Sequence, residues 1–347
     1  MNYYATLGES CKDAAVIAAL LRAGISCFRL NLSHGSLRGK ADWIDALHRA
    51  ERETGLSAGL LIDLRGPEVR TGREVFATML SLHETIALSA LALPETVAAG
   101  LLPGQELRID DGGAVLTLEN GGLCRVTRPG RIAPRKSVAL PGLALHLPPL
   151  TAEDLADLAD GTSYGVTAVM QPFVYSREEL NTVRRAMIQA GLGGALLYAK
   201  IEDQTGLDAL PDWIGGCDVV TAARGDLGVN LGLEHVPAAQ KRIAAACRRA
   251  GKPLLVVTEL LGSMTECPIP TRGGGVGHLP RRVGRRGAPD AHQRDGGGEV
   301  SFGGRRLAGE MRRDGEKRIN KRKGTLQRAF SLCKYQLHQQ HIHRRAR

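Results

Sequence analysis

No uninterrupted apolar run in these 347 residues approaches the roughly 18–20 residues that a membrane-spanning helix needs, and Met1 is not followed by a basic, apolar and small-residue signal pattern. The expectation is a cytoplasmic protein with no membrane partner. The seven cysteines, at Cys11, Cys27, Cys124, Cys217, Cys247, Cys267 and Cys333, form no CxxC pair and no zinc-type spacing, so they are expected as reduced, mostly buried thiols. Internal repeats are absent as well. What the sequence does have is an ordinary apolar share of 43%, length enough for one large domain with a smaller insert, and a net charge of +10.

That charge is not spread along the chain. Residues 273–347 hold 19 Lys and Arg against 6 Asp and Glu, a net +13, and residues 1–272 hold 27 against 30, a net −3. The basic segment also carries 14 of the 43 glycines and has no apolar periodicity. Two kinds of sequence therefore meet near Arg272. Read alone, the basic segment would grip nucleic acid through nonspecific phosphate contacts.

The body alternates strand-type and helix-type runs. Strands are predicted at Tyr3–Leu7, Ser26–Leu30, Ala58–Asp63, Gly165–Met170, Ala195–Lys200, Asp218–Thr221 and Pro253–Thr258, several of them near-continuously apolar, as parallel strands buried on both faces are. Helices are predicted at Asp13–Ala23, Lys40–Thr54, Ala152–Asp160, Ser176–Ala190 and Val236–Ala250, with Gly24, Gly55, Gly161, Gly191 and Gly251 as C-caps. This rhythm is that of a (β/α) barrel or a doubly wound sheet. From Thr71 to about Leu140 it gives way to short alternating runs at Glu106–Ile109, Ala114–Leu118 and Leu123–Thr127, separated by Asp- and Gly-rich turns, which is hairpin chemistry. A small β domain inserted after the third strand is expected there.

Polar clusters sit at the C-terminal ends of predicted strands, where barrel enzymes build their sites. Arg29-Leu30-Asn31-Leu32-Ser33-His34-Gly35 offers a guanidinium for a phosphate and small oxygen ligands for a cation, although taken alone it reads rather as a helix N-cap beside a surface arginine. Asp63-Leu64-Arg65-Gly66-Pro67-Glu68-Val69-Arg70-Thr71-Gly72 packs charges around a Gly-Pro turn after strand three, where a solvated loop would explain the charges but not their position at a strand end. Lys200 and Glu202, at i and i+2, point to one side, which suits an anionic substrate and a divalent metal or else a plain ion pair. Arg224-Gly225-Asp226 follows strand six, with backbone N–H groups for an anion and a second metal oxygen. Asp110-Asp111-Gly112 reads by itself as a hairpin turn, and His338, His341 and His343 as a tract without function.

Taken together, the stretches ATLGES, RLNLSHG, DLRGPEVRTG, RIDDG, RKSVALPG, QPFVYS, AKIED, AARGDLGV, PAAQKRI, KPLLVVTELLGSM and PIPTR occur in the order in which they resemble pyruvate kinase, from Tyr4 to Arg272. The resemblance implies a (β/α)8-type TIM barrel, incomplete at its C-terminal end, carrying an inserted small β-barrel domain. It divides the chain into barrel residues 1–72, a lid domain at 73–140, barrel continuation at 141–272 and the basic tail at 273–347. It implies phosphoryl transfer from phosphoenolpyruvate to ADP in glycolysis, with Mg²⁺ or Mn²⁺ and K⁺ as cofactors. By similarity, Glu202 and Asp226 hold the divalent metal, Arg29 and Lys200 meet the phosphoryl group, and Gly225 and Asp226 take the substrate carboxylate. Asn31, Ser33, Asp63 and the carbonyl of Leu64 match the K⁺ site, and Glu68 fits the potassium-dependent form. Arg70 and Lys136 face the nucleotide phosphates, Asp111 closes over them as a lid, and Thr258 lies on the proton-delivery side.

The sequence departs from the family pattern at Leu64 and Arg65, Pro172, Tyr175 and Glu259, which replace a Thr-Lys pair, a serine, an arginine and a glutamine. Beyond Arg272 the match stops, yet synonymous codons for Gly273–Arg282 read from each second base give AEVSDIYHAV, and Asp290–Gly304 give MLTNETAVGKYPLEA. Both strings look like the missing continuation. One extra nucleotide near residue 272 is therefore expected, leaving a tail with no evolved nucleic-acid partner, a barrel open between its first and seventh strands, and an incomplete homotetramer interface. An inactive truncated product, a metal-dependent lyase or aldolase acting on pyruvate-type acids, and a nucleic-acid binder are the alternatives.

Overall fold

The computed structural model describes residues 3–258 apart from 144 and 146; Glu259, Cys267, Cys333 and the basic tail lie outside the described residues. The strands are β1 (Tyr3–Thr6), β2 (Ile25–Asn31), β3 (Gly59–Asp63), β4 (Thr78–Leu80), β5 (Thr85–Ala87), β6 (Glu106–Ile109), β7 (Ala114–Leu118), β8 (Leu123–Arg128), β9 (Gly130–Ile132), β10 (Val138–Ala139), β11 (Val166–Gln171), β12 (Leu196–Ile201), β13 (Val219–Ala223) and β14 (Leu254–Val257). The α-helices are α1 (Ala14–Arg22), α2 (Ala41–Thr54), α3 (Glu95–Ala98), α4 (Ala152–Gly161), α5 (Arg177–Gln189), α6 (Gln204–Asp208), α7 (Leu210–Trp213), α8 (Arg224–Leu231) and α9 (Val236–Ala250).

Local chemistry starts several of these helices. Asp13 accepts the Ala15 N–H at the start of α1, and Thr151 and Ser176 close capping boxes with Asp154 and Glu179 at the starts of α4 and α5. Gly161, expected as a C-cap, is instead the last residue of α4. A Cβ there would come within 2.7 Å of Leu192 Cδ1, so the glycine serves close packing rather than a left-handed turn.

Seven parallel strands form one sheet in the order β1-β2-β3-β11-β12-β13-β14. Cys27, Leu61, Ala168, Met170, Tyr198 and Val219, joined by Tyr4 and Leu255, form an apolar layer on one face, with every one of the seven strands contributing. The alternate residues, including Phe28, Leu30, Leu60, Ile62, Val169, Leu197 and Val220, pack in a second core with the helices. Burial on both faces is why the strands read as continuous apolar runs. The architecture is an incomplete (β/α) barrel, and among the described residues β1 and β14 each have a single strand neighbour.

Between β3 and β11 the chain builds an antiparallel sheet, β10-β6-β7-β8-β5, and a β4-β9 ribbon. Leu80 and Ile132 of the ribbon share one apolar core with Leu107, Ile109, Leu116, Leu118, Cys124 and Val126. The described cysteines, Cys11, Cys27, Cys124, Cys217 and Cys247, are free and buried. Burial pushes the Cys27 thiol up to about 12, far from the thiolate form.

Gly66, in the turn after β3, is required twice over. Its φ is +55°, and a Cβ there would sit 2.5 Å from Pro172 Cγ. Gly66→Ala is expected to lower stability by roughly 1–3 kcal/mol, read as a lower midpoint in urea with an unchanged slope.

Candidate active site

Strand alternation carries the apolar layer into a polar one. Two residues beyond Cys27 is Arg29, two beyond Leu61 is Asp63, two beyond Tyr198 is Lys200 and two beyond Val219 is Thr221, all near the C-terminal ends of their strands. Asp63, 1% exposed, is the centre of this layer. Its Oδ2 accepts from Arg29 Nε at 2.8 Å and from Nη2 at 2.5 Å. Lys200 Nζ lies 3.2 Å from Asp63 Oδ1 and 2.9 Å from Glu202 Oε1, and Glu202 Oε2 accepts the Phe173 N–H at 2.9 Å. Arg29 is thus an ion-pair partner in the barrel mouth rather than a surface arginine.

Burying this chain of charges perturbs it. Burial would lower the Lys200 ammonium, but Asp63 and Glu202 beside it raise it above its ordinary value and keep it charged. Burial pushes the Glu202 carboxyl up to about 8; Lys200 opposes the shift and the nearby Asp226 charge adds to it. Glu68 is also raised by burial, against the pull of Arg70, whose Nη2 is 2.8 Å from Glu68 Oε2. Asp226 contributes to the fields at Lys200, Glu202 and Glu68 alike, so its carboxylate shares their neighbourhood.

Asp226 and Gly225 stand in the first turn of α8. Asn230, near the other end of that helix, donates to the Glu202 and Asp226 carbonyls at 3.1 Å each and ties the Glu202 loop to α8. A Cβ at Gly225 would meet Thr258 Cγ2 at 2.8 Å, so Thr258, exposed and with φ +73°, abuts the start of the helix. Among the described residues no three His, Cys, Asp or Glu side chains form a metal cluster. Glu202 and Asp226 make a pair of hard oxygen donors, with Lys200 set against the Glu202 carboxyl, which fits a divalent cation that keeps other ligands of its own.

The expected monovalent-cation residues also meet. Asn31, at the end of β2, pairs in register with Asp63 at the end of β3. Asn31 Oδ1 accepts the Ser33 N–H at 3.0 Å, so it does act as a cap of the short turn Leu32–His34, and Leu64 N–H is fixed on the Met170 carbonyl at 3.0 Å. Asp63 Oδ1 is buried and accepts no hydrogen bond even with the ammonium nearby, an orphaned carboxylate oxygen that suits a cation.

Arg70 and the insert residue Lys136 share the neighbourhood of His34 with Arg29. Arg70 bridges to Ser137 and donates to the Arg135 carbonyl at 2.8 Å, Lys136 Nζ pairs with Asp110 Oδ1 at 2.9 Å, and Ser137 Oγ donates to Asp111 Oδ1 at 3.2 Å. Arg108 on β6 donates to the Val229 carbonyl of α8 and so joins the insert to the barrel helix.

Sequence reasoning assigned no role to His34, Thr221 or the Arg65–Asp154–Asp157 group. His34 is lowered by burial and by Arg70, Lys40, Lys136 and Arg29, which marks a cationic pocket around it; its place next to Ser33 in the quoted motif was the available signal. Thr221, with no exposure, has a hydroxyl without a partner and reads in sequence as an ordinary strand threonine. Tyr175 donates its hydroxyl to Asp203 Oδ2 at 2.8 Å and supplies no positive charge to the layer.

Residues 2–276 match the family described as pyruvate kinase, barrel domain. A protein named pyruvate kinase from Methylorubrum extorquens is 37% identical over 77% of this chain and 58% of its own length. Pyruvate kinase from Aeropyrum pernix is 34% identical over 77% and 60%, and pyruvate kinase 2 of Saccharomyces cerevisiae 33% identical over 77% and 57%. The chain therefore spans less than two thirds of the length of these relatives.

Proposed function

The chain belongs to the pyruvate kinase family, and on that premise we propose that it is built to move the phosphoryl group of phosphoenolpyruvate to ADP, giving ATP and pyruvate as a step of glycolysis. The observation that carries this reading is the Arg29–Asp63–Lys200–Glu202 chain, in which two buried carboxylates hold two cations at the barrel mouth, with Arg70 and Lys136 joining Arg29 in the field at His34. In the forward direction an oxygen of the ADP β-phosphate bonds to phosphorus while the bond to the enolate oxygen breaks, and the enolate carbon then takes a proton. Arg29 and Lys200 offset the charge shared between entering and leaving oxygens, a preorganised field that needs no rearrangement during the step. Lys200 is held for this by two carboxylates rather than by solvent.

Glu202 and Asp226 would hold Mg²⁺ or Mn²⁺, which when bound supplies further charge neutralisation at the phosphoryl oxygens. Asn31, Ser33, Asp63 and the Leu64 carbonyl would hold K⁺. The backbone N–H groups of Gly225 and Asp226 orient the substrate carboxylate at the start of α8. Thr258, against Gly225, stands on the side where the enolate carbon takes its proton. Arg70 and Lys136 receive the nucleotide phosphates, and Asp111 closes the site as the 73–140 lid shuts against the barrel segments 1–72 and 141–272, excluding water.

The decisive experiment is coupled pyruvate formation from phosphoenolpyruvate and ADP with Mg²⁺ and K⁺, comparing the 347-residue chain with a form whose reading frame is restored after Arg272. Turnover in either chain that depends on ADP supports the proposal. Conversion of a pyruvate-type acid without ADP in both chains favours a lyase or aldolase, and no conversion in either favours an inactive product.

A further inference from the structure

Among the described residues, a charge network on two buried carboxylates outside the proposed site lies just beyond its strand ends. Arg65, two residues beyond Asp63, places Nη1 2.6 Å from Asp157 Oδ2 and 3.4 Å from Asp154 Oδ1, and Nη2 donates to the Gly35 carbonyl at 2.6 Å. The backbone N–H groups of Arg65 and Gly66 go to the two oxygens of Asp154 at 2.9 and 3.0 Å. Asp157 Oδ1 accepts the Leu37 N–H at 2.7 Å. Asp154 and Asp157 are 0% and 2% exposed, and Asp154 also closes the capping box with Thr151.

The first turns of α4 thus hold two loops at once. One runs through Gly35 and Leu37 just after Asn31 and Ser33, and the other runs through Arg65 and Gly66 just after Asp63 and Leu64. Each loop continues a strand that ends in an expected monovalent-cation ligand. Packing alone does not call for this arrangement, because apolar residues of similar volume fill such space without the cost of desolvating three charges. What the network adds is geometry. The planar guanidinium reaches both carboxylates and the Gly35 carbonyl together, which a single ammonium cannot reproduce.

We propose that Arg65, held by Asp154 and Asp157, is a positioning residue that fixes the spacing between the Asn31–Ser33 loop and the Asp63–Leu64 strand end, and so sets the affinity of the site for a monovalent cation. This rests on the K⁺ reading of those four residues. Arg65 does not touch the cation; it acts through the two loops, as outer partners of metal ligands do elsewhere.

The test is thermal unfolding of the 347-residue chain titrated with KCl at constant ionic strength made up with tetramethylammonium chloride. The variants are Arg65→Met combined with Asp157→Asn, which removes one charge of each sign, and Arg65→Lys. The double variant is expected to raise the K⁺ concentration at half-effect by about tenfold, with Arg65→Lys giving an intermediate value. Where the double variant is too unstable to titrate, the raised half-effect concentration in Arg65→Lys carries the result. A lowered transition with an unchanged K⁺ half-effect concentration overturns the proposal, since that is what a merely structural network gives. A wild-type chain with no K⁺-dependent shift overturns the K⁺ reading itself, and the proposal with it, and that failure is visible before any variant is made.

Discussion

Lys200→Met is expected to cut pyruvate formation by about 10³-fold and to lower the thermal transition of the protein at the same time. The ammonium lies 3.2 Å from Asp63 and 2.9 Å from Glu202, both almost fully buried, so its loss leaves Glu202 without its cation and Asp63 with Arg29 alone. Breaking a buried ion pair in this way costs about 3–5 kcal/mol. Removing one preorganised positive group from a phosphoryl-transfer site costs about 10²–10³ in rate, and the Glu202 carboxylate left facing the phosphoryl group without its ammonium puts the effect at the upper end. Turnover is measured by coupled pyruvate formation in whichever of the two chains is active, and stability by calorimetry. A variant within tenfold of wild-type turnover would remove Lys200 from the reaction, and one with an unchanged transition would show that Asp63 and Glu202 find compensation elsewhere.

The second large effect is a loss of stability with rising pH in the cation-free protein. Glu202 is raised in the folded state from an ordinary 4.5 to about 8 by burial. Between these values the folded chain keeps the proton that the unfolded chain has released, so the unfolded state binds fewer protons and stability falls as pH rises. The slope from this one group approaches about 1.4 kcal/mol per pH unit at its steepest. Glu68 and Asp203, also raised by burial, act in the same direction, and His34, lowered by burial and its cationic neighbours, acts in the opposite one. Urea unfolding at pH 5, 6, 7 and 8 measures the total, and Glu202→Gln isolates the part due to Glu202. Millimolar Mn²⁺ is expected to flatten the wild-type slope and leave that of Glu202→Gln unchanged, because binding requires the carboxylate and displaces its proton. Parallel slopes for wild type and variant would show that Glu202 is ionised throughout this range.

The sequence by itself determined the barrel strands, the longer helices and three strands of the insert, but not the short strands β4, β5, β9 and β10 or the helices α3 and α6–α8. Strand runs such as Ala58–Asp63 and Ala195–Lys200 lie within a residue of β3 (Gly59–Asp63) and β12 (Leu196–Ile201), and the hairpin runs Glu106–Ile109 and Ala114–Leu118 coincide with β6 and β7. Apolar periodicity and capping residues act over a few positions, and these are written directly in the chain. The strand-end position of Arg29, Asp63 and Lys200, and that of Asp226 just beyond strand six, was legible for the same reason, as was the family, from the order of its motifs. Gly161 misled because a glycine at a helix end serves either a left-handed turn or a close contact, and only the position of Leu192 distinguishes the two.

Only the tertiary structure decided who pairs with whom. Asp63 and Lys200 are 137 positions apart, and Arg65 and Asp157 are 92 apart. Asp154 and Asp157 read in sequence as acids early in a helix, whereas the fold buries both behind the strand ends. The raised Glu202, the orphaned Asp63 oxygen and the cationic surroundings of His34 are likewise products of burial and of fields from distant segments. Such quantities depend on distances between groups that the curvature of a parallel sheet brings together. Periodicity specifies which face of its own strand each residue occupies, and nothing in it specifies the neighbour across the barrel.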